Sequence, residues 1–96
     1  MNNGKKKTLF MPQISRFFGI IIAMYFEDHN PPHFHAKYGN FEVKININDF
    51  SILDGNLPSR VLGFVLEWAS LHRKELAENW KLVSQNKSPN EIPPLE

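Results

Sequence analysis

The chain has 96 residues, enough for one hydrophobic core and too few for two. Its 42% hydrophobic and 22% charged residues are those of an ordinary folded domain, and the lack of cysteine excludes disulfides, thiolate metal sites and cysteine catalysis. The formal charge is +1, but Lys5, Lys6 and Lys7 lie together near the start, and without them the remainder carries −2, which disfavours broad binding to duplex DNA.

Residues 1–10, MNNGKKKTLF, show no periodicity and read as a flexible basic arm, with Met11-Pro12 as an alternative start. Residues 11–85 read as a single α+β domain and residues 86–96 as a C-terminal tail in which Ile92 and Leu95 dock back. No apolar run reaches the roughly 20 residues of a membrane helix, and no leader pattern is seen, so the expected location is cytoplasmic. The run FFGIIIAMYF suits a buried strand, centred on Gly19 to Phe26 and apolar on both alternating faces. It ends at the polar, proline-rich EDHNPP.

Gly39-Asn40 separates two alternating runs, HFHAKY and FEVKINI, which is a hairpin signal. A two-residue loop pairs Tyr38 with Phe41, Ala36 with Val43 and Phe34 with Ile45, all apolar. The other face pairs Lys37 with Glu42, His35 with Lys44 and His33 with Asn46, all polar. A slip of one residue destroys that sorting. A further turn at Asn48-Asp49 sets Phe50 opposite Ile47 and Ile52 opposite Ile45, and Asp54-Gly55 ends that short strand. The expected sheet is an antiparallel meander of about four strands.

After Pro58 the spacing of Val61, Val65, Trp68, His72, Leu76, Trp80 and Val83 predicts helix. One straight helix of that length would span about 40 Å, so a single long helix or one broken near Ser70 to Arg73 packs the meander. Its first half is apolar nearly all round, which suits burial on two sides, a homo-oligomer contact or a protein partner, with Val61, Phe64 and Trp68 as candidate partner-binding residues.

The histidines cluster: His29, His33 and His35 fall in DHNPPHFHAKYG. His33 and His35 leave the same face of one strand, the face opposite Phe34, and are expected to be exposed there with Lys37, Lys44 and Asn46. Three readings follow. His29, His33 and His35 can ligate zinc, with Asp28 or Glu27 as a further oxygen donor, although the Lys44 cation opposes a dication. His33 and His35 with Lys44 can instead perform acid–base chemistry on RNA, a reading that needs no cofactor and in which Arg16 adds a donor. Or the histidines stabilise the loop, with His29 capping the proline turn. His72, between Trp68 and Leu76, reads as a half-buried structural histidine that joins the site with Glu75 only if the helix crosses the histidine face.

Ser15-Arg16-Phe17, Asp28-His29, Pro31-Pro32-His33-Phe34-His35, Gly55, Leu57-Pro58, Glu67-Trp68, His72, Leu76 and Trp80 together resemble one bacterial family, the domain-of-unknown-function family numbered 4160. The resemblance runs from Met11 to Leu95 and brings no catalytic residues with it. It implies a protein partner encoded by the adjacent gene, in an arrangement similar to a toxin–antitoxin pair. The expected function is thus a small protein acting with that partner, with an RNA-directed His/Lys face, the alternatives being a non-catalytic protein-binding module and a His-ligated metal protein.

Overall fold

Alternating apolar side chains force the sheet to hide one face, and the C-terminal helices supply the cover. A computed structural model describes residues 12–96; the N-terminal arm expected over residues 1–10 lies outside the described residues. The fold is α+β. Five antiparallel strands run in chain order across one sheet, β1 (Gln13–Phe17), β2 (Ile20–Ala23), β3 (His33–Tyr38), β4 (Phe41–Asn46) and β5 (Ile52–Asn56), followed by helices α1 (Ser59–Leu71) and α2 (Arg73–Ser84). No helix among the described residues is long and apolar enough to cross a membrane.

The β3–β4 register is the expected one at all six positions, from His33 opposite Asn46 to Tyr38 opposite Phe41. Gly39 turns the hairpin with φ of 58°. The strand count differs because FFGIIIAMYF is not one strand. Phe17 ends β1, Ile20 opens β2, and Phe18 and Gly19 make the turn with φ of 52° and 78°. Positive φ at both central residues is the twist-matched hairpin turn, which normally calls for Asn, Asp or Gly; a phenylalanine there hides it.

The last hairpin also differs. Ile52 lies opposite Ile45 as expected, but Phe50 is held at φ 62° in the turn, its amide bonded to the Asn46 carbonyl at 2.9 Å, so it does not face Ile47. Asp54 and Gly55 do not end β5 but lie within it, opposite Lys44 and Val43. Gly55 has φ of 77°, and a Cβ there would meet the Glu42 carbonyl oxygen at 2.1 Å, so only glycine lets β5 run this close to β4.

Helix α1 starts beyond Pro58, whose carbonyl accepts from the Leu62 amide at 2.9 Å. Val61, Val65, Trp68 and Ala69 face inward at three- and four-residue spacing. Trp68 is wholly buried between Phe17 and Phe34, with ring centroids 5.6 and 5.9 Å away, and its indole donates to the Pro93 carbonyl at 2.9 Å. The helix breaks at His72, within the expected interval. There φ is −130°, the amide reaches back only to Ala69, and the carbonyl accepts from Leu76 to start α2. Beyond α2 the chain runs back to β1: Asn79 exchanges two 2.8 Å hydrogen bonds with the Asn90 backbone, and the Ile92 amide donates to the Ile14 carbonyl at 2.8 Å.

Candidate metal centre

Residues of β3 alternate between the two sheet faces. Phe34 and Ala36 take the helix side, so His33 and His35 take the other, as the register requires. That face is not open at the histidines, contrary to expectation: His33 is 2% exposed and His35 is 8%. The segment between β2 and β3 folds over it. Tyr25 meets the His35 ring edge-to-face at 4.5 Å, and Trp80 of α2 covers the His33 ring at 5.2 Å. The segment is pinned from below as well, because the Glu27 amide donates to the Val83 carbonyl and the Asn86 side-chain amide to the Glu27 carboxylate.

The centre of the cluster is Asp28. Its Oδ2 lies 2.8 Å from His33 Nε2 and 3.3 Å from His35 Nε2, while Oδ1 accepts the His29 amide at 2.9 Å. The other nitrogens also face oxygen. His33 Nδ1 is 2.7 Å from the Pro31 carbonyl, and His35 Nδ1 is 3.1 Å from Glu42 Oε2. A carbonyl can only accept, so His33 carries its proton on Nδ1. Burial pushes the His35 imidazole below its ordinary value against the pull of Asp28, so the ring is held neutral with one N–H. Burial also acts to raise Asp28, but the His29 amide and the two imidazoles more than offset it and hold the carboxyl below its usual value, fully ionised near neutrality.

Four ring nitrogens face four oxygen contacts, so with one proton on each ring two of those contacts carry no hydrogen. With His33 donating to Pro31 and His35 to Glu42, both Nε2 lone pairs are left on the side of the Asp28 oxygen. The candidate ligand atoms of Asp28, His33 and His35 all lie within 4.8 Å of one another. Donors bound at about 2.1 Å to one ion stand about 3.0 Å apart in octahedral and about 3.4 Å apart in tetrahedral geometry; the observed 2.8 and 3.3 Å match that spacing.

The other sequence candidates fall as follows. His29 is exposed and offers the cluster its backbone amide rather than its ring. Lys44 lies directly across from His35 and lines a surface hollow of about 250 Å³ with His35, Glu42 and Asp54. Val61 and Trp68 are in the core, and only Phe64 of that trio reaches the surface, where it meets the Phe18 ring edge-on. His72 sits against Trp68 with its Nδ1 facing Glu75, apart from the histidine cluster. Sequence reasoning admitted Asp28 as an extra donor but missed Glu42, which it assigned to Lys37, and missed Tyr25 and Trp80 as cover. The available signal for Glu42 was its diagonal position to His35, two residues before the directly opposed Lys44.

No curated protein and no solved structure matches the chain. A family model does, over residues 19–81, from the β1–β2 turn into α2, and it therefore takes in Asp28, His33, His35, Glu42 and Trp80. Its description is Domain of unknown function (DUF4160), and with well over half of the chain matched, this protein belongs to that family.

Proposed function

We propose that this protein binds one divalent transition-metal ion through Asp28 Oδ2, His33 Nε2 and His35 Nε2. The observation that carries the reading is the convergence of those three donors while each Nδ1 is held by an oxygen acceptor, the arrangement that orients imidazoles toward a metal. Without a metal, every contact is a hydrogen bond only if both rings are doubly protonated, which places two cations in a buried cluster; one dication serves all three donors. Two imidazoles and one carboxylate suit zinc, nickel, cobalt, iron or manganese better than calcium or magnesium, which take oxygen ligands. Three protein donors leave coordination positions for water or a bound group.

Acid–base cleavage of RNA by His33, His35 and Lys44 draws less support. His33 is nearly inaccessible, and both its nitrogens lie within 2.8 Å of an oxygen. A protein partner keeps one favourable observation: Phe18, 52% exposed, forms an aromatic pair with Phe64 at 5.1 Å on the outer surface.

The test is equilibrium dialysis of the full chain against zinc, nickel, cobalt or manganese, with elemental counting. One ion per chain is expected, lost in Asp28→Ala and His35→Ala and retained in His29→Ala. Nickel should also quench Trp80, whose ring lies on His33. No uptake, or uptake unchanged by Asp28→Ala and His35→Ala, would overturn the proposal.

A further inference from the structure

Glu42 stands between two lysines and binds neither. Lys37 is its direct cross-strand partner, and Lys44 follows two residues later on the same face. A carboxylate placed this way on an ordinary sheet surface would pair with an ammonium group. Among the described residues its ion-pair partner is His35 instead, at 3.1 Å from Nδ1. The two histidines are thus oriented by different means. His33 is fixed by the Pro31 backbone carbonyl, which no side-chain change alters. His35 depends on one side chain, and that side chain is 45% exposed at the rim of the hollow shared with Lys44 and Asp54.

The chemistry of a neutral imidazole makes that dependence matter. Its single proton sits on whichever nitrogen meets the stronger acceptor, and the other nitrogen keeps the lone pair. Asp28 and Glu42 compete for the His35 proton. Asp28 already accepts from the His29 amide and lies near His33, and its contact with His35 Nε2 is the longer of the two, 3.3 against 3.1 Å. The shorter contact favours Glu42 as the acceptor, with the proton at Nδ1.

We propose that Glu42 is the positioning residue of the metal site: it sets the His35 tautomer and ring angle so that Nε2 presents its lone pair beside Asp28 and His33. This rests on the metal reading above. Loss of such an outer carboxylate typically costs about 10–100-fold in metal affinity. Glu42 lies outside the donor cluster of Asp28, His33 and His35 and contacts it through His35, so its effect would run through that ring.

The experiment uses the full chain with cobalt and zinc as probes, comparing the wild type with Glu42→Ala, Glu42→Gln and Asp54→Ala. Affinity is read by titration, ligand geometry by the cobalt absorption bands, and the His35 tautomer by long-range proton–nitrogen NMR of the metal-free protein. Glu42→Ala should weaken cobalt and zinc by about 10–100-fold, shift the cobalt bands and release the Nδ1–H tautomer. Glu42→Gln, whose amide oxygen still accepts a hydrogen bond, should keep the tautomer and recover much of the affinity. Asp54→Ala removes a charge from the same hollow without touching the ring, and should leave the tautomer unchanged and weaken binding by a few-fold at most. If the wild type takes up no metal, the metal reading fails and this proposal falls with it. If the wild type binds but Glu42→Ala binds equally well with unchanged bands, or Asp54→Ala weakens binding as much, Glu42 has no positioning role. If the alanine variant does not fold, the His35 tautomer of the metal-free wild type decides the matter: a proton on Nε2 rather than Nδ1 overturns the proposal.

Discussion

Phe34 and Ala36 leave β3 toward α1, while His33 and His35 leave it toward the β2–β3 segment, and all four are at most 8% exposed. The two faces are equally dry and differently made. On the helix side the cover is Trp68, and the contacts are apolar rings in close packing. On the other side the cover is Tyr25, Asp28 and Trp80, and every ring nitrogen has an oxygen opposite it. The first face tolerates anything apolar of the right volume. The second has to satisfy each buried polar atom, because an unpaired one costs about 1–3 kcal/mol. A polar face of that sort is an expensive way to close a sheet, and the proposed metal site would give it a use.

The sharpest way to break the comparison is on the apolar side. Trp68→Ala should cost about 3–5 kcal/mol, since it removes the ring between Phe17 and Phe34 and frees the Pro93 carbonyl. Denaturant melts should show a chain unfolded or nearly so, and metal should not rescue it. A smaller loss would mean that the helix face is not the principal core.

On the polar side Asp28→Ala should cost less, about 1 kcal/mol in metal-free buffer, because the His29 amide loses its carboxylate acceptor. The same variant should lose the stabilisation that zinc gives the wild type by binding the native state. Equal zinc-induced shifts in the melting temperature of both proteins would separate Asp28 from any metal.

Acid should distinguish the faces without mutation. Burial holds the His35 imidazole below its ordinary 6.5, so the unfolded chain takes up that proton first as pH falls. The His35 contribution is therefore present above about 6.5 and is lost as pH drops toward the depressed value. Asp28, held below 3.8, adds a second loss of the same sign at more acid pH. Metal-free unfolding midpoints should fall between pH 7.5 and pH 5.5, with a shallower fall in His35→Gln. The Phe34 side should contribute no such slope.

The smallest expected effect is at Lys44. It lies directly across from His35 and, among the described residues, makes no ion pair. Lys44→Ala should strengthen zinc binding by a few-fold at low salt, because a screened repulsion of the dication disappears, with stability near the wild type. Weaker binding in this variant would make Lys44 part of the site rather than a neighbour opposing it.

What the sequence disclosed follows local periodicity. The β3–β4 register was legible because six cross-strand pairs sort cleanly by polarity around Gly39-Asn40, and the helix break was legible because a straight helix would overrun so small a sheet. Strand β1 was not, since Phe18 occupies a left-handed turn position inside a continuous apolar run. Nor was the burial of His33 and His35: polarity assigned them to one face, but the cover arrives from Tyr25, Asp28 and Trp80, and no periodicity records a loop folding back. The same limit hid Glu42, whose directly opposed lysine concealed a diagonal bond to His35.

The most direct measurement is X-ray absorption at the metal edge of the zinc-loaded full chain, repeated on Asp28→Ala. The expected inner shell has two imidazole nitrogens and at least one oxygen at about 2.0–2.2 Å, with any remaining positions filled by solvent oxygen. Asp28→Ala should lose the bound zinc. A zinc spectrum of the hydrated ion alone, or an imidazole shell that survives in both His33→Ala and His35→Ala, would contradict the account.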